Sequence, residues 1–333
     1  MGIDRFHTPV LRRTWLTQAA TAATALAAAT VQPAFAQATD FPSRPIKMVV
    51  PFGAGGSDAM ARSFAEKLGA VLKQPVFVEN RPGAAALIGA EYTAAAAPDG
   101  YTMIFLGGGS LTPVLLKDLK FDIQKQLKPV VCLARGGMMF MVNSSVPAKN
   151  MTEFVKYAKQ NAGKLNYSYT AGSMVLSNEM LKSKLGFDAM AVPYKGAGQV
   201  LTALITNEIQ MTIDVPYNYL PMIKDGKVRP LLHGGQERSP SLPDGPTLSD
   251  MGINDLIFAV SYGIWVPAGT PDPIVAKLNA AYNEVLKDPD IRDRLVQASV
   301  VPVGGPPSGQ SEQIRMEQDM WARSARQIGY KPE

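Results

Sequence analysis

A glycine-rich turn between an apolar strand and an amphipathic helix is the feature that most constrains this chain. Residues 47–51 read Lys-Met-Val-Val-Pro, and residues 52–58 continue as Phe-Gly-Ala-Gly-Gly-Ser-Asp. Apolar residues then recur at helical spacing through Leu72. Glycines at such a junction leave several backbone N–H groups directed at one point, where the helix dipole also favours negative charge. The pattern therefore predicts a site that holds an anion without a charged side chain.

The first 36 residues have the pattern of a cleaved export signal. Three arginines precede residue 14, residues 16–31 are rich in alanine, and Ala34-Phe35-Ala36 is a small-x-small cleavage motif. A membrane anchor is the alternative, but the stretch is weakly apolar and is closed by Pro33, so it would span a bilayer poorly. We therefore expect a periplasmic protein whose mature chain begins at Gln37.

The composition excludes several classes of function. The chain has 33 basic and 28 acidic residues, which are scattered without a basic run, so we expect no nucleic-acid surface. Its one cysteine, Cys132, cannot form an internal disulfide and fits a small buried hydrophobe. Its two histidines supply no set of metal ligands, and nucleophilic catalysis lacks its usual residue pairs. We therefore expect no metal, no cofactor and no enzymatic activity.

Strand and helix patterns alternate along the chain, which favours a parallel α/β architecture. Two apolar segments, residues 138–142 and 256–266, bracket an α/β insert. The chain should therefore cross twice between two lobes, and such a pair of connections forms a natural hinge. We place residues 37–142 and 260–333 in lobe 1 and residues 143–259 in lobe 2.

Five short motifs follow one another along the chain. They are PFGAGGSD at residues 51–58, ENRPGA at 79–84, PDGYT at 98–102, VPYKG at 192–196 and PAGTP at 267–271. Together they make the chain resemble the Bug-type extracytoplasmic solute-binding proteins of tripartite tricarboxylate transporters. The resemblance covers essentially all of the mature chain. It implies an α/β, type II periplasmic binding protein fold, with two lobes, a hinge and a ligand cleft between the lobes.

The resemblance also implies a class of ligand and a set of contacts. Family members bind small carboxylates, from tricarboxylates to aromatic acids. Their ligand loops hold these largely through main-chain N–H groups, hydroxyls and ordered waters. Carried onto this sequence, the ligand-binding residues are Phe52, Ala54, Gly55, Gly56, Ser57, Gly108, Gly109 and Ser110 in lobe 1, and Thr170, Ala171, Gly172 and Ser173 in lobe 2.

Three further residues bear on the identity of the ligand. Val175 stands where many family members have a histidine, and Met174 adjoins it, so we expect an apolar cleft wall. This wall favours an aromatic dicarboxylate such as terephthalate. Asp214 ends a predicted strand near the cleft, and it either contacts the ligand or bonds to loop backbone. Asp58 is expected to be structural, because it would repel a bound carboxylate, and Lys195 is expected to face solvent.

The resemblance implies partners as well as a ligand. We expect a monomer that delivers its carboxylate to the membrane permease subunits of a tripartite transporter. Alternatively, the protein is a ligand-sensing partner of a membrane sensor kinase that uses the same cleft. The sequence alone does not distinguish delivery to a permease from signalling to a sensor kinase.

Overall fold

The computed structural model describes residues 40–107, 111, 114, 116–170, 172–235, 238, 245–254, 256 and 258–330. The predicted export signal, its cleavage site, residues 108–110 and Ala171 lie outside these residues. None of the helices in the described part combines the length and the apolar character that a bilayer span requires.

The described residues form eleven strands and ten helices. The strands are β1 (Ile46–Val50), β2 (Val76–Asn80), β3 (Thr102–Gly107), β4 (Leu127–Gly137), β5 (Met139–Asn143), β6 (Asn166–Tyr169), β7 (Met190–Pro193), β8 (Met211–Asp214), β9 (Val228–His233), β10 (Ala259–Pro267) and β11 (Val300–Pro302). The helices are α1 (Gly56–Leu72), α2 (Leu87–Ala94), α3 (Ile123–Gln126), α4 (Met151–Gln160), α5 (Gly172–Leu185), α6 (Ala197–Ile205), α7 (Leu220–Lys224), α8 (Asp272–Val285), α9 (Pro289–Gln297) and α10 (Pro307–Gln327). Single 3₁₀ turns cover Ala84–Ala86, Pro216–Asn218 and Ser249–Met251.

Capping residues explain several helix starts. The Asn150 side chain accepts a hydrogen bond from Glu153 N over 2.9 Å at the start of α4. Asp288 accepts from Asp290 N over 2.9 Å ahead of α9, and Pro289 occupies the first helical position. These local signals place the helices that cover the two sheets.

Both sheets are mixed, and each belongs to one lobe. The first has the order β11-β4-β10-β3-β1-β2, and the second has the order β7-β6-β8-β5-β9. In the first, β1 is parallel to β2 and β3, and β10 is antiparallel to β3 and β4. In the second, β6 is parallel to β7 and β8, and β5 is antiparallel to β8 and β9. The parallel architecture expected from the sequence is corrected here, because strands that join the lobes directly have no crossover helix to keep them parallel.

The chain first crosses between the lobes at Met138. β4 ends at Gly137 in the first sheet, and β5 begins at Met139 in the second. The crossing expected after residue 142 is therefore placed too late. The apolar run at residues 138–142 includes the strand that pairs with β8 and β9 of the second sheet, and its own pattern does not show with which sheet it pairs. On the return, β10 begins at Ala259, one residue before the expected start of the second lobe-1 segment.

Backbone hydrogen bonds join the two crossing segments side by side. Met138 N donates to Phe258 O over 2.7 Å, and Gly234 N donates to Met138 O over 2.8 Å. Gly234, which follows β9, also lies against this pair: a Cβ there would be 2.3 Å from the Phe258 Cβ, so a side chain would push Gly234 away from the second crossing segment. The hinge is therefore a pair of extended, mutually bonded segments.

Each lobe has its own apolar core, and the C-terminal helix touches both lobes. The lobe-1 core includes Val49, Ile104, Leu106, Trp265 and Ile314. The lobe-2 core includes Met139, Met141, Val200, Leu204 and Tyr219. Helix α10 packs on β4 of the first sheet and also contacts α5 of lobe 2. The two cores are separate, so the lobes can move as bodies about the hinge.

Candidate functional site

A cavity of about 60 Å³ lies between the two lobes. It is found where β1, β6 and β8 end, the usual place for a ligand in an α/β sheet. Its lobe-1 wall consists of Phe52, Gly53, Gly55, Gly56, Ser57, Gly107, Val260 and Tyr262. Its hinge and lobe-2 wall consists of Met138, Thr170, Ser173, Met174, Gly196, Ala197, Asp214 and Val215.

Two helices from different lobes begin at this cavity. Helix α1 begins at Gly56, preceded by Gly55 as its N-cap residue. Helix α5 begins at Gly172, and Ser173 and Met174 in its first turn line the cavity. The first N–H groups of a helix have no partner within the helix, and they carry the positive end of its dipole. Both lobes therefore direct backbone donors at one small volume, which is a geometry that binds anions.

The lobes are closed over the cavity. Gly53 N of lobe 1 donates a hydrogen bond to Lys195 O of lobe 2 over 3.2 Å. A Cβ on Gly196 would lie 3.3 Å from the Gly53 backbone, and one on Gly198 would lie 3.1 Å from Ala54 O. The absence of side chains at these glycines lets two backbones from opposite lobes meet directly.

Hydroxyl groups add further donors to the cavity wall. Ser57 Oγ donates to the Tyr262 hydroxyl over 3.5 Å. The Tyr262 ring stacks on Phe105, with ring centres 5.3 Å apart and planes 18° apart. Burial raises the pKa of Tyr262, so its phenol stays neutral and keeps its proton. Thr170 Oγ1 lies 3.4 Å from Met174 Sδ, a weak contact that a better acceptor would replace.

Asp214 is an ionisable side chain in the cavity wall, at the end of β8. Its carboxylate accepts from Val215 N over 2.7 Å and from the Tyr219 hydroxyl over 2.8 Å. Burial raises the pKa of Asp214 to about 6, and the two hydrogen bonds oppose that rise. The structure shows the bond to loop backbone and places the residue in the cavity wall, while contact with a ligand stays a prediction. Near neutral pH its charge repels a carboxylate beside it and favours an O–H or N–H donor.

The structure brings eight of the predicted ligand residues to the cavity. They are Phe52, Gly55, Gly56, Ser57, Thr170, Ser173, Met174 and Asp214. Ala54 is exposed, and its carbonyl faces Gly198 of the other lobe rather than the cavity. The predicted residues Gly108, Gly109, Ser110 and Ala171 lie outside the described residues.

Val175 and Gly172 line a second cavity between the lobes, which Ala85 and Leu116 of lobe 1 also line. That cavity is also lined by Tyr167, Glu179, Lys182 and Tyr330. Successive residues of a helix point about 100° apart, so a first turn that faces the cleft with Ser173 and Met174 turns Val175 away from it. Of that pair only Met174 lines the cavity at the two helix starts, and contact of Val175 with a ligand stays a prediction.

Sequence reasoning missed several residues of the cavity wall, among them Met138, Tyr262 and Gly196. Met138 and Tyr262 lie in the two apolar crossing segments, where the pattern does not distinguish a wall residue from a core residue. Gly196 belongs to the VPYKG motif, and its glycine was a usable signal for close approach of two backbones.

Two charged residues near the cavity, Asp58 and Lys195, do not line it. Asp58 accepts from Arg62 Nε over 3.0 Å and from Asn80 Nδ2 over 2.7 Å, so its role is structural. The Lys195 side chain is exposed and lines an outer, open cavity of about 870 Å³ that shares Phe52 with the inner one. Throughout the residues that the structure describes, no group of three histidine, cysteine or carboxylate side chains is arranged to hold a metal ion.

Comparison with known proteins extends over both lobes. Residues 60–330 match the family model described as tripartite tricarboxylate transporter family receptor. The periplasmic binding protein BugD is 30% identical, with a TM-score of 0.83 over 88% of this chain and 100% of that chain. R. palustris Rpa4515 with adipate is 31% identical, with a TM-score of 0.84 over 88% of this chain and 100% of that chain. MatC (Rpa3494) from Rhodopseudomonas palustris with bound malate is 31% identical, with a TM-score of 0.79 over 86% of this chain and 100% of that chain. These matches confirm the expected type II periplasmic binding protein fold.

Proposed function

This chain belongs to the tripartite tricarboxylate transporter receptor family, and we propose that it is a periplasmic solute-binding protein for a small dicarboxylate. One observation carries the proposal: the N-termini of α1 and α5, from different lobes, face one closed cavity. Two facing donor sets suit a ligand with an anionic group at each end. Members of this family are receptors that bind a substrate, so the role is capture rather than turnover.

In the proposed complex, each helix start holds one carboxylate. The proximal carboxylate lies on the N–H groups of Gly55, Gly56 and Ser57, and the distal carboxylate lies at Ser173. A carboxylate removed from water needs several donors, and preformed main-chain donors supply them with little loss of conformational entropy. Within the described residues no basic side chain lines the cavity, so helix dipoles and hydroxyls supply the positive potential.

Two related structures favour an aliphatic diacid. Two of the similar structures hold adipate and malate, both aliphatic dicarboxylates. An aromatic diacid such as terephthalate has weaker support, because Val175 lies on another cavity. The inner cavity still offers apolar contact at Phe52, Met138, Met174, Val215 and Val260.

The carboxyl group of Asp214 indicates which diacids should bind most tightly. Its carboxylate in the cavity wall would repel a third acidic group but would accept a hydrogen bond from a ligand hydroxyl. We therefore expect a hydroxylated diacid such as malate to bind more tightly than succinate, which has the same length.

Delivery to the permease of a tripartite transporter is the proposed next step, since the family is described as a transporter receptor. Signalling through a membrane sensor kinase would use the same cleft. Uptake assays in a strain that lacks the permease would distinguish the two, because only transport depends on it.

Isothermal titration calorimetry with purified mature protein tests the proposal. The panel contains succinate, malate, adipate, terephthalate, citrate and glutamate, together with a monocarboxylate of the same chain length as each aliphatic diacid. We expect an aliphatic diacid to bind with a Kd of about 1 μM or lower, and matched monocarboxylates to bind at least about tenfold more weakly, because one donor set stays unpaired. Binding of citrate or glutamate alone would contradict the proposal.

A pair of serine variants in α5 checks where the ligand binds. Ser173→Ala removes a hydroxyl from the cavity wall and should weaken diacid binding about five- to tenfold. Ser183→Ala removes an exposed hydroxyl further along the same helix and should leave the affinity unchanged. Equal affinities for the two variants would remove Ser173 from the site.

A further inference from the structure

Tyr217 of lobe 2 shares a small apolar cavity with lobe 1. It lies in the 3₁₀ turn Pro216–Asn218, which follows β8. The other walls come from α1 and α9 and consist of Met60, Ser63, Phe64, Ile291, Arg294 and Leu295. The space left is about 10 Å³, room for about one water molecule. The tyrosine therefore faces a small apolar slot on the other lobe, with little space left between them.

The slot is part of the lobe-1 structure. Phe64 and Leu295 are each 1% exposed and belong to the lobe-1 interior. Arg294 Nη1 donates to Ser63 Oγ over 3.1 Å and so ties α9 to α1. These contacts lie within lobe 1, so the slot persists when the lobes separate. Tyr217 belongs to the other lobe and reaches the slot only in the closed arrangement.

The turn that carries Tyr217 also borders the ligand cavity. Asp214 and Val215, which precede the turn, line that cavity. Asn218, which ends the turn, lies against α1, where a Cβ on Gly56 would be 3.0 Å from Asn218 Nδ2. Tyr217 does not line the ligand cavity. One short segment therefore joins the ligand cavity to an interlobe contact that the ligand does not touch.

We propose that Tyr217 is a latch that stabilises the closed state by occupying the lobe-1 slot and so sets the rate of ligand release. The inference rests on the proposed function, because it requires a ligand on which the lobes close. A contact made only in the closed state adds the same free energy whichever ligand is bound. It therefore changes all affinities by one factor, whereas a residue of the ligand cavity changes the ratios among ligands.

Stopped-flow and calorimetric measurements with succinate, malate and adipate test the latch. We expect Tyr217→Ala to raise the dissociation rate constant about tenfold for every diacid that binds, because the apolar contact of the ring is lost. The association rate constant should stay within about twofold. Tyr217→Phe keeps the ring and should bind like the wild type. Tyr157→Ala removes a half-buried tyrosine from α4 of the same lobe and should leave both rate constants unchanged.

A variant in lobe 1 tests whether the effect of Tyr217→Ala comes from the interlobe contact rather than from misfolding of lobe 2. Met60→Ala removes a wall of the slot from lobe 1 and should raise the dissociation rate constants by a uniform factor, as Tyr217→Ala does. Unchanged dissociation rates in both variants would overturn the latch. An effect whose size differs among the diacids would also overturn it.

Spin labels separate failure of the latch from failure of the proposed function. Cysteines at the exposed positions Glu66 of lobe 1 and Lys224 of lobe 2 report the distance between the lobes. In the ligand-free protein, Tyr217→Ala should shift the distances toward the open state. If the wild type binds no diacid, the proposed function fails and the latch is judged on these distances alone. Identical distance distributions in that case would overturn it.

Discussion

Replacing Gly198 by alanine should separate closure of the lobes from folding, because the added methyl group meets only the opposite lobe. Gly198 is exposed in the first turn of α6 and does not line the ligand cavity. A Cβ there would lie 3.1 Å from Ala54 O, and its other near neighbour is the carbonyl carbon of the same residue. Alanine is also a better helix former than glycine by about 0.5–1 kcal/mol. The variant should therefore be more stable to unfolding and yet bind more weakly.

The expected loss of ligand affinity in Gly198→Ala can be worked out from one neighbouring hydrogen bond. Relief of the 3.1 Å contact requires the lobes to separate by a few tenths of an ångström. That separation stretches the bond from Gly53 N to Lys195 O, which is already 3.2 Å long. Loss of such a bond costs about 0.5–1.5 kcal/mol, and about 1 kcal/mol corresponds to roughly a fivefold change in Kd. We therefore expect Gly198→Ala to raise the Kd for the bound diacid about fivefold.

The assay combines calorimetric titration with urea unfolding of the ligand-free protein. Gly309→Ala is the matched control, because it adds a methyl group to α10 with open space around it. The control should gain stability without losing affinity. The reasoning is refuted if Gly198→Ala binds as tightly as the wild type, or if its weaker binding comes with a lower urea midpoint.

Three further predictions concern buried or strained groups. The pKa of Asp214 is about 6, so a negative charge develops in the cavity wall as the pH rises from about 5.5 to about 7.5. The affinity of the wild type for adipate should fall over that range. Calorimetric titration of Asp214→Asn should show an affinity that depends less on pH. Burial raises the pKa of Glu317 from 4.5 to about 7, so the folded state binds the proton more tightly than the unfolded state does. The free energy of unfolding should therefore fall by up to about 3 kcal/mol as the pH rises from about 4.5 through 7. Urea unfolding of Glu317→Gln should show a weaker dependence on pH over that range, and a profile like the wild type would contradict the argument. Ala85 has a left-handed φ of 50°, so Ala85→Gly should stabilise the protein by about 0.5–1 kcal/mol in urea unfolding, and a lower midpoint would contradict the strain.

Local chemistry explains what the sequence could predict. Gly55, Gly56 and Ser57 reach the cavity because a strand, a glycine turn and a helix start are consecutive in the chain, and their geometry depends little on the rest of the fold. Asp214 could be placed near the cleft for a similar reason, since the end of a buried strand marks the ligand-binding edge of a sheet.

The features that the sequence did not place depend on contacts between distant segments. The crossing at Met138 depends on which strands pair with β4 and β5, and neither strand's own pattern shows its partners. The direction of Val175 depends on the rotation of α5, which its own sequence leaves open because the apolar pattern is weak along this helix. Tyr217 and Tyr262 reach the lobe interface through the packing of separate elements, and the residues beside each tyrosine carry no sign of that position.

The glycines of this protein would account for both the proposed anion site without positive side chains and a closed cleft that can reopen. At Gly196 and Gly198 the absence of a Cβ lets opposite backbones meet, so the helix starts of α1 and α5 face one small cavity. A lysine or arginine in the cavity would hold the same carboxylate more strongly but would carry its own desolvation cost when the lobes close over it. Fixed backbone dipoles avoid that cost, because they keep the same orientation in the open and closed states. Affinity then depends on how well the lobes close, and this is why substitutions at Gly198 and Tyr217, which touch no ligand, should change binding.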